Sequence, residues 1–387
     1  MDRCDIAIVG GGPAGLCLAS ALDALGLDVA IFETSPESAL AEPTPDGREI
    51  ALTHASRAFL ESLGVWARLP EQDISPLKDA AVFDGESEQP MRITHQDGGR
   101  ECLGWLIANQ HIKKAAYDAV VEDTSTRLMC EVSVTSSTLH ATERRLMLSN
   151  GEQVAADLVI AADSRFSNLR RMTGIGSRVR DYGRSMLLAK MQIEGDHQQV
   201  AWEWFAYDRT LALLPLNGQR ASAVITLPHE QTDRLAQVDE ATFNEEVTAL
   251  FRHRVGEMTL QGERHVVPLM GVWPDRLIDE RLAVLGDAAV GMHPVTAHGF
   301  NLGLRGVQIL SEELARAGAH DLANPIRLRA YQRRHRLTSL PLYLATSAVV
   351  GLYSDTSLPA KFARRSLLRI ADKLWPFRRA VARQLTG

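Results

Sequence analysis

Cysteine is scarce in this chain. The four that occur among 387 residues, Cys4, Cys17, Cys102 and Cys130, are scattered and form no CxxC pair. That spacing argues against a structural zinc site and a redox dithiol, and no metal ligands are expected. Positive charge is not in excess either: 42 Lys and Arg stand against 48 Asp and Glu, a net charge of −6. A nucleic-acid partner is therefore not expected. Long apolar runs are also absent, since none reaches the roughly 18 residues a bilayer requires. The nearest candidate, 337–353, is broken by Pro341 and diluted with Ser and Thr. No basic segment followed by an apolar one precedes the first strand-like run, Asp5 to Val9, so no secretory leader is read and a cytoplasmic location is expected. With 45% hydrophobic and 23% charged residues, the composition suits a soluble globular chain of one large or two interleaved domains.

What is present begins at the N-terminus. The run Ile6-Ala7-Ile8-Val9 reads as a strand and meets Gly10-Gly11-Gly12-Pro13-Ala14-Gly15. A helical pattern follows, with Leu16, Leu18, Ala19, Leu22 and Leu25 on its apolar face, and stops at Gly26. A second strand, Val29 to Phe32, ends in Glu33, an acid about 20 positions past the glycines. Each residue type has a physical reason. Gly10 permits the tight turn, Gly12 lets a pyrophosphate approach the helix N-terminus, and Gly15 lets helix and strand pack closely. Glu33 is suited to accept hydrogen bonds from a ribose diol. An acid there, rather than a base, favours a 2′-hydroxyl over a 2′-phosphate, hence FAD or NAD.

A second acidic position separates those two cofactors. Leu282-Ala283-Val284-Leu285 reads as a buried strand and runs into Gly286-Asp287. A charge at the lip of a core strand costs free energy unless a ligand needs it. The long ribityl chain of FAD supplies such a need, whereas NAD does not. The segment then passes through His293, Pro294 and His298 into a helix opening at Gly299-Phe300-Asn301. Free N–H groups at that helix start would face the electron-rich edge of a flavin ring and stabilise its reduced, anionic form.

At these residues the chain resembles the flavin monooxygenases of the p-hydroxybenzoate hydroxylase fold. Within them it is most similar to the ubiquinone-biosynthesis hydroxylases, of the 5-demethoxyubiquinol 5-hydroxylase type. Gly10-x-Gly12-x-x-Gly15 with Glu33 matches the ADP-binding motif, and Gly47 to Thr53, with Arg48, resembles the segment that passes the flavin ring. Leu103-Gly104-Trp105 with Asn109-Gln110 resembles the family's "LG…ENQ" stretch, and Ala161 to Arg170, with Asp163, its "GADGxxSxxR" motif. Gly286-Asp287 matches the "GD" that holds the ribityl chain. The chain departs from the family at Val290, Ala297-His298 and Gly306, which stand for His, Gly-Gln and Asp; these positions are expected to flank the flavin face where oxygen reacts.

The resemblance implies an α/β fold. It has a Rossmann-like FAD-binding domain from 1–75, 98–172 and 275–325, a β-sheet substrate domain from 76–97 and 173–274, and a C-terminal helical, basic region over 326–387. It implies non-covalent FAD bound by Gly10, Gly12, Pro13, Ala14, Gly15, Glu33, Arg48, Gln110, Asp163, Asp287, Gly299, Phe300 and Asn301. NAD(P)H would visit as a transient donor, and a C4a-hydroperoxyflavin formed with O2 would hydroxylate the ring of a polyprenylated phenol or quinol. Pro294 would shape the oxygen site, and His293 or His298 would be the base that helps form a phenolate. A flavin-dependent reductase of prenyl substrates and a flavin-binding scaffold of a biosynthetic complex are the alternatives.

Met186 to Ile193, Val200 to Phe205, Leu211 to Leu216 and Ala221 to Thr226 read as strands of a sheet over the flavin. Alternation along Trp202-Glu203-Trp204 puts both tryptophans on one face, which lines either the core or an apolar pocket. Beyond Pro325 the chain is basic, with apolar residues interleaved from Leu367 to Phe377. That pattern points to contact with the inner face of a membrane or with a ubiquinone-biosynthesis complex.

Overall fold

The computed structural model describes residues 1–87, 89–206, 208–292 and 299–354, with side chains as far as residue 348. Its first layer is a sheet centred on β1 (Asp2–Val9). Parallel neighbours flank β1 on both sides: β2 (Val29–Phe32) pairs Ile6 with Val29, and Gln153–Ala161 pairs Ile6 with Leu158. Leu282–Val284 and Arg127–Met129 extend the parallel core outwards, and Val134–Leu139 with Arg144–Leu148 add an antiparallel flap. Helices cover the sheet, so its central strands are apolar at consecutive positions rather than alternating. Ile6, Ala7 and Ile8 are all wholly buried. Helix α1 (Pro13–Asp23) starts with proline, whose missing N–H costs nothing at a helix start, and packs against the helices Asn109–Asp123 and Gly299–Ala317.

The second layer is a seven-stranded sheet in the order Met258–Pro274, Ser177–Ile193, Arg220–Pro228, Thr210–Leu216, Val200–Phe205, Asp79–Asp84, Met91–Ile93. Two of these strands run for 17 residues each. One face carries the helices His229–Gln237 and Glu240–Leu250 on a core that includes Leu187, Leu213, Ile225 and Phe243. Trp204 is buried in that core and Trp202 packs against it, so the tryptophan face is core and not pocket. A three-stranded sheet of Glu49–Leu52, Gly104–Ala108 and Ser75–Leu77 completes the sheet structure.

The helix Pro325–Ser354 carries Pro341 inside it. Among the described residues no helix is long and apolar enough to cross a membrane. The basic stretch from Lys361 to Arg383 lies outside the described residues, as do His293, Pro294, Ala297 and His298.

Candidate functional site

A cavity of about 630 Å³ runs between the two large sheets. At one end it is lined by Gly10, Gly12, Pro13, Ala14 and Glu33, and along its length by Arg48, Asp163 and Asp287. Gly299 and Phe300 border it, and its far wall is the open face of the seven-stranded sheet. This is the size of site that takes a small organic molecule or cofactor.

The glycine loop is fixed by contacts a side chain would break. Gly10 sits at φ +113°, and a Cβ there would lie 2.4 Å from the Ala162 carbonyl oxygen. A Cβ on Gly15 would lie 2.1 Å from the Gly10 carbonyl oxygen, so Gly15 does not line the cavity but lets α1 close on the turn. Gly12 faces open space and caps α1 with no side chain bonded to the helix start. Its free N–H groups and helix dipole are available to an anion.

Glu33 is held at the end of β2 by three donors. Gly11 N–H reaches Oε2 at 2.7 Å, while Ser35 N–H at 2.8 Å and the Thr34 hydroxyl at 3.1 Å reach Oε1. Burial pushes this carboxyl up, but the Ser35 and Gly11 N–H groups outweigh it and hold it below the usual range. Asp163 accepts from the Ser167 hydroxyl and from Leu169 N–H at 3.0 Å, which ties it to the start of the short helix Asn168–Met172. Arg170 of the same motif is buried and donates to the Ala288 carbonyl at 2.7 Å. It thus clamps the Gly286-Asp287 turn to the Asp163 segment.

Asp287 is not the buried charge expected from the sequence. Its side chain is 42% exposed, opens onto the cavity, and lies 3.3 Å from the Arg165 guanidinium. The strand before it is buried, but the turn lifts the carboxylate over the strand end. Arg48 lines the cavity and is paired with Asp46, whose carboxyl is held at about 2; burial opposes this, and the Arg48 bond and the Asn109 amide outweigh it.

Several sequence-predicted positions do other work. Gln110 does not line the cavity; its neighbour Asn109 does, because adjacent residues of a helix point in different directions. Asn301 is also absent from the lining. Its amide accepts from Thr53 N–H at 3.1 Å and donates to the Ala51 carbonyl at 2.8 Å, fastening the Gly299–Ala317 helix to the Glu49–Leu52 strand. Val290 is buried with Met292, Leu302 and Tyr343 rather than standing on the cavity face. Gly306 makes room for the His335 ring, which a Cβ would approach to 2.9 Å. Neither position therefore flanks the cavity as expected. The residue that sequence reasoning missed is Glu203, which lines the far wall.

The site fits FAD. A helix N-terminus without a side-chain cap suits the pyrophosphate, Glu33 has an acceptor left for a ribose hydroxyl, and Asp287 is a second acceptor along the cavity. Leu188, Leu214, Val224 and Leu269 give an apolar wall for a ring.

Comparison with known proteins agrees with this chemistry. Residues 3–339 match the model of the FAD binding domain family. The chain is 38% identical to "Ubiquinone hydroxylase UbiM" of Neisseria meningitidis over 99% of this chain and 84% of the relative. It is 31% identical to "Ubiquinone hydroxylase UbiL" of Rhodospirillum rubrum over 99% and 89%, and 28% identical to the 3-demethoxyubiquinol 3-hydroxylase of Escherichia coli over 99% and 98%. Among solved structures, p-nitrophenol 4-monooxygenase PnpA from Pseudomonas putida superposes with a TM-score of 0.80 at 15% identity, covering 100% of this chain and 99% of that one, and shares the fold. The glycine loop with the acid that ends β2, the second acid beyond a parallel strand and the relatives at both levels agree: the chain belongs to the FAD-binding monooxygenase family that includes the ubiquinone hydroxylases.

Proposed function

We propose that this protein is an FAD-dependent monooxygenase that hydroxylates the aromatic ring of a polyprenylated phenol or quinol in ubiquinone biosynthesis. The observation that carries the reading is the cavity that joins the Gly10–Gly15 loop to a largely apolar sheet face, which offers room for a redox cofactor and a greasy substrate together. FAD, when bound, supplies the redox chemistry that takes electrons from NAD(P)H and activates O2. The chain's own residues bind, orient and exclude water. The Gly10–Gly15 loop and the start of α1 take the pyrophosphate, and Glu33 takes a ribose hydroxyl. Asp163 lies by the pyrophosphate and Asp287 takes the ribityl hydroxyls. Arg48 and the start of the Gly299–Ala317 helix, with Phe300, border the ring. Met186, Leu188, Leu214 and Leu269 keep the substrate end dry.

The prenyl tail of such a substrate lies in a lipid phase, and a contact surface of this chain supports that. Ile326, Arg329, Arg333, Leu337, Leu340 and Leu344 form an exposed stripe of apolar and cationic side chains along the Pro325–Ser354 helix. Peripheral contact with a membrane or a biosynthetic complex is part of the proposal.

The test is turnover by purified holoprotein with NADH or NADPH, labelled O2 and short-chain prenyl phenols and demethoxyquinols. A product heavier by one oxygen atom from O2 is expected. NAD(P)H oxidation with prenyl double bonds reduced and no oxygen incorporated would identify a reductase instead.

A further inference from the structure

Glu203 is the middle acid of the Val200–Phe205 strand. Its neighbours Trp202 and Trp204 point to the helix-covered core, so alternation turns Glu203 to the cavity, which it lines. Register places Val82 and Ala212 directly beside it, and the row continues through Val224, Leu188 and His265. Neither adjacent side chain has a polar atom to offer. Among the described residues the Glu203 carboxyl has no hydrogen-bond or ion-pair partner.

The charged groups on the surrounding elements are committed elsewhere or lie at strand ends. On the Asp79–Asp84 strand, Asp79 accepts from His95, and Asp84 sits beyond the row, opposite Phe205. Thr210–Leu216 carries no ionisable residue, and Arg220 opens the next strand. Lys190, on Ser177–Ile193, lies 3.0 Å from Glu49. His265 ends the row on Met258–Pro274, packed by Gly47. Across the cavity Arg48 is paired with Asp46. Enclosure without a compensating charge pushes the Glu203 carboxyl up to about 8. A wall that is apolar apart from Glu203 and the threonines Thr210 and Thr226 thus presents one carboxyl group, which is neutral at rest and a matched proton acceptor just above neutral pH.

We propose that Glu203 is a catalytic residue that binds a ring hydroxyl of the substrate and takes its proton as the ring is attacked. This rests on the hydroxylase reading above. In the step, the O–H bond of the ring hydroxyl breaks, its electron pair stays on the ring oxygen, and the proton goes to the Glu203 carboxylate. The richer ring receives an oxygen atom that comes from O2, with electrons from NAD(P)H. The ring carbon then loses its hydrogen as a proton, and the ring oxygen regains one from Glu203 as aromaticity returns. Over the cycle substrate, O2, NAD(P)H and a proton give hydroxylated product, water and NAD(P)⁺, with Glu203 unchanged. The ionised form is the active one, so the rate increases with pH until the carboxyl is fully ionised.

The experiment uses holoprotein and the isosteric variant Glu203→Gln. Infrared difference spectra without substrate are expected to show an unionised carboxyl band at pH 7 in the wild type that titrates near pH 8 and is missing in the variant. With a short-chain prenyl phenol, wild-type hydroxylation is expected to rise up to about tenfold per pH unit below pH 8. Glu203→Gln should keep its FAD, lose about 10²-fold in hydroxylation rate and lose that rise. A variant with wild-type rate and pH profile, or a wild type whose spectrum lacks the band, overturns the assignment. Failure of the hydroxylase reading would look different: wild-type protein itself would put no oxygen into any phenol or quinol.

Discussion

Replacing Glu33 by alanine tests the nucleotide end of the site most directly. The carboxylate has two oxygens with two acceptor positions each. Oε1 is filled by Ser35 N–H and the Thr34 hydroxyl, while Oε2 holds only Gly11 N–H. One acceptor position, on Oε2, is left for a ribose hydroxyl. A single hydrogen bond to a charged group contributes about 1.5–3 kcal/mol, which corresponds to a dissociation constant raised about 10- to 150-fold. The exposed Thr34 hydroxyl released by the change can take water, but Gly11 N–H is buried, so the stability of the apoprotein should fall by about 1–3 kcal/mol. The assay is titration of apoprotein with FAD by flavin fluorescence, beside urea unfolding without FAD. An affinity within twofold of wild type would remove Glu33 from the ribose. A large loss of apoprotein stability with unchanged FAD affinity would make the residue a clasp for the glycine loop and nothing more.

Three further outcomes are expected. Gly15→Ala forces a methyl to within 2.1 Å of the Gly10 carbonyl, so it should cost about 1–3 kcal/mol and most of the bound flavin; retention of FAD at wild-type affinity would show that the turn yields easily. Ser164 holds φ +74° where the resembled motif has glycine, and Ser164→Gly should raise stability by up to about 1 kcal/mol in urea unfolding, an unchanged or lowered midpoint being the contrary result. His335 is buried and held down to about 4, first by burial and then by nearby Arg336. The unfolded chain therefore binds a proton that the fold rejects between about pH 6.5 and pH 4, and stability falls as pH falls through that window, by about 3 kcal/mol. His335→Gln should flatten that part of the pH profile, and an unaltered slope would assign acid sensitivity elsewhere.

The parts of this site that the sequence reveals are those in which cause and effect are local. The Gly10–Gly15 spacing, the apolar face of α1 and Glu33 lie within one βαβ unit, where helix and strand periods are readable directly. Asp287 is legible as an acid ending an apolar strand, but its exposure is not, because Arg165 and the lift of the turn come from outside that segment. Asn301 could not be told from a cofactor ligand, since its partners Ala51 and Thr53 lie about 250 positions away. The front half of Ser177–Ile193 was missed as strand because Arg178, Arg180, Asp181 and Arg184 give it no apolar alternation. Glu203 left one signal: an acid between two tryptophans on a strand must point opposite to them. That becomes a site only when the opposite face is seen to be covered too.

The fastening of Asn301 to Ala51 and Thr53 has a consequence for how the molecule is made. The cavity takes its lining from residues near 10, 50, 163, 287 and 300, and β1 lies between strands that come far apart in the chain. During synthesis the βαβ unit can assemble early, yet the turn carrying Asp287 and the helix start that Asn301 ties down emerge only near the end. Full cofactor retention is therefore expected late in synthesis, since a nascent chain truncated before Asp287 lacks both that acid and the helix start that borders the cavity. Flavin supply would then set how much of the newly finished protein matures, rather than how much is translated.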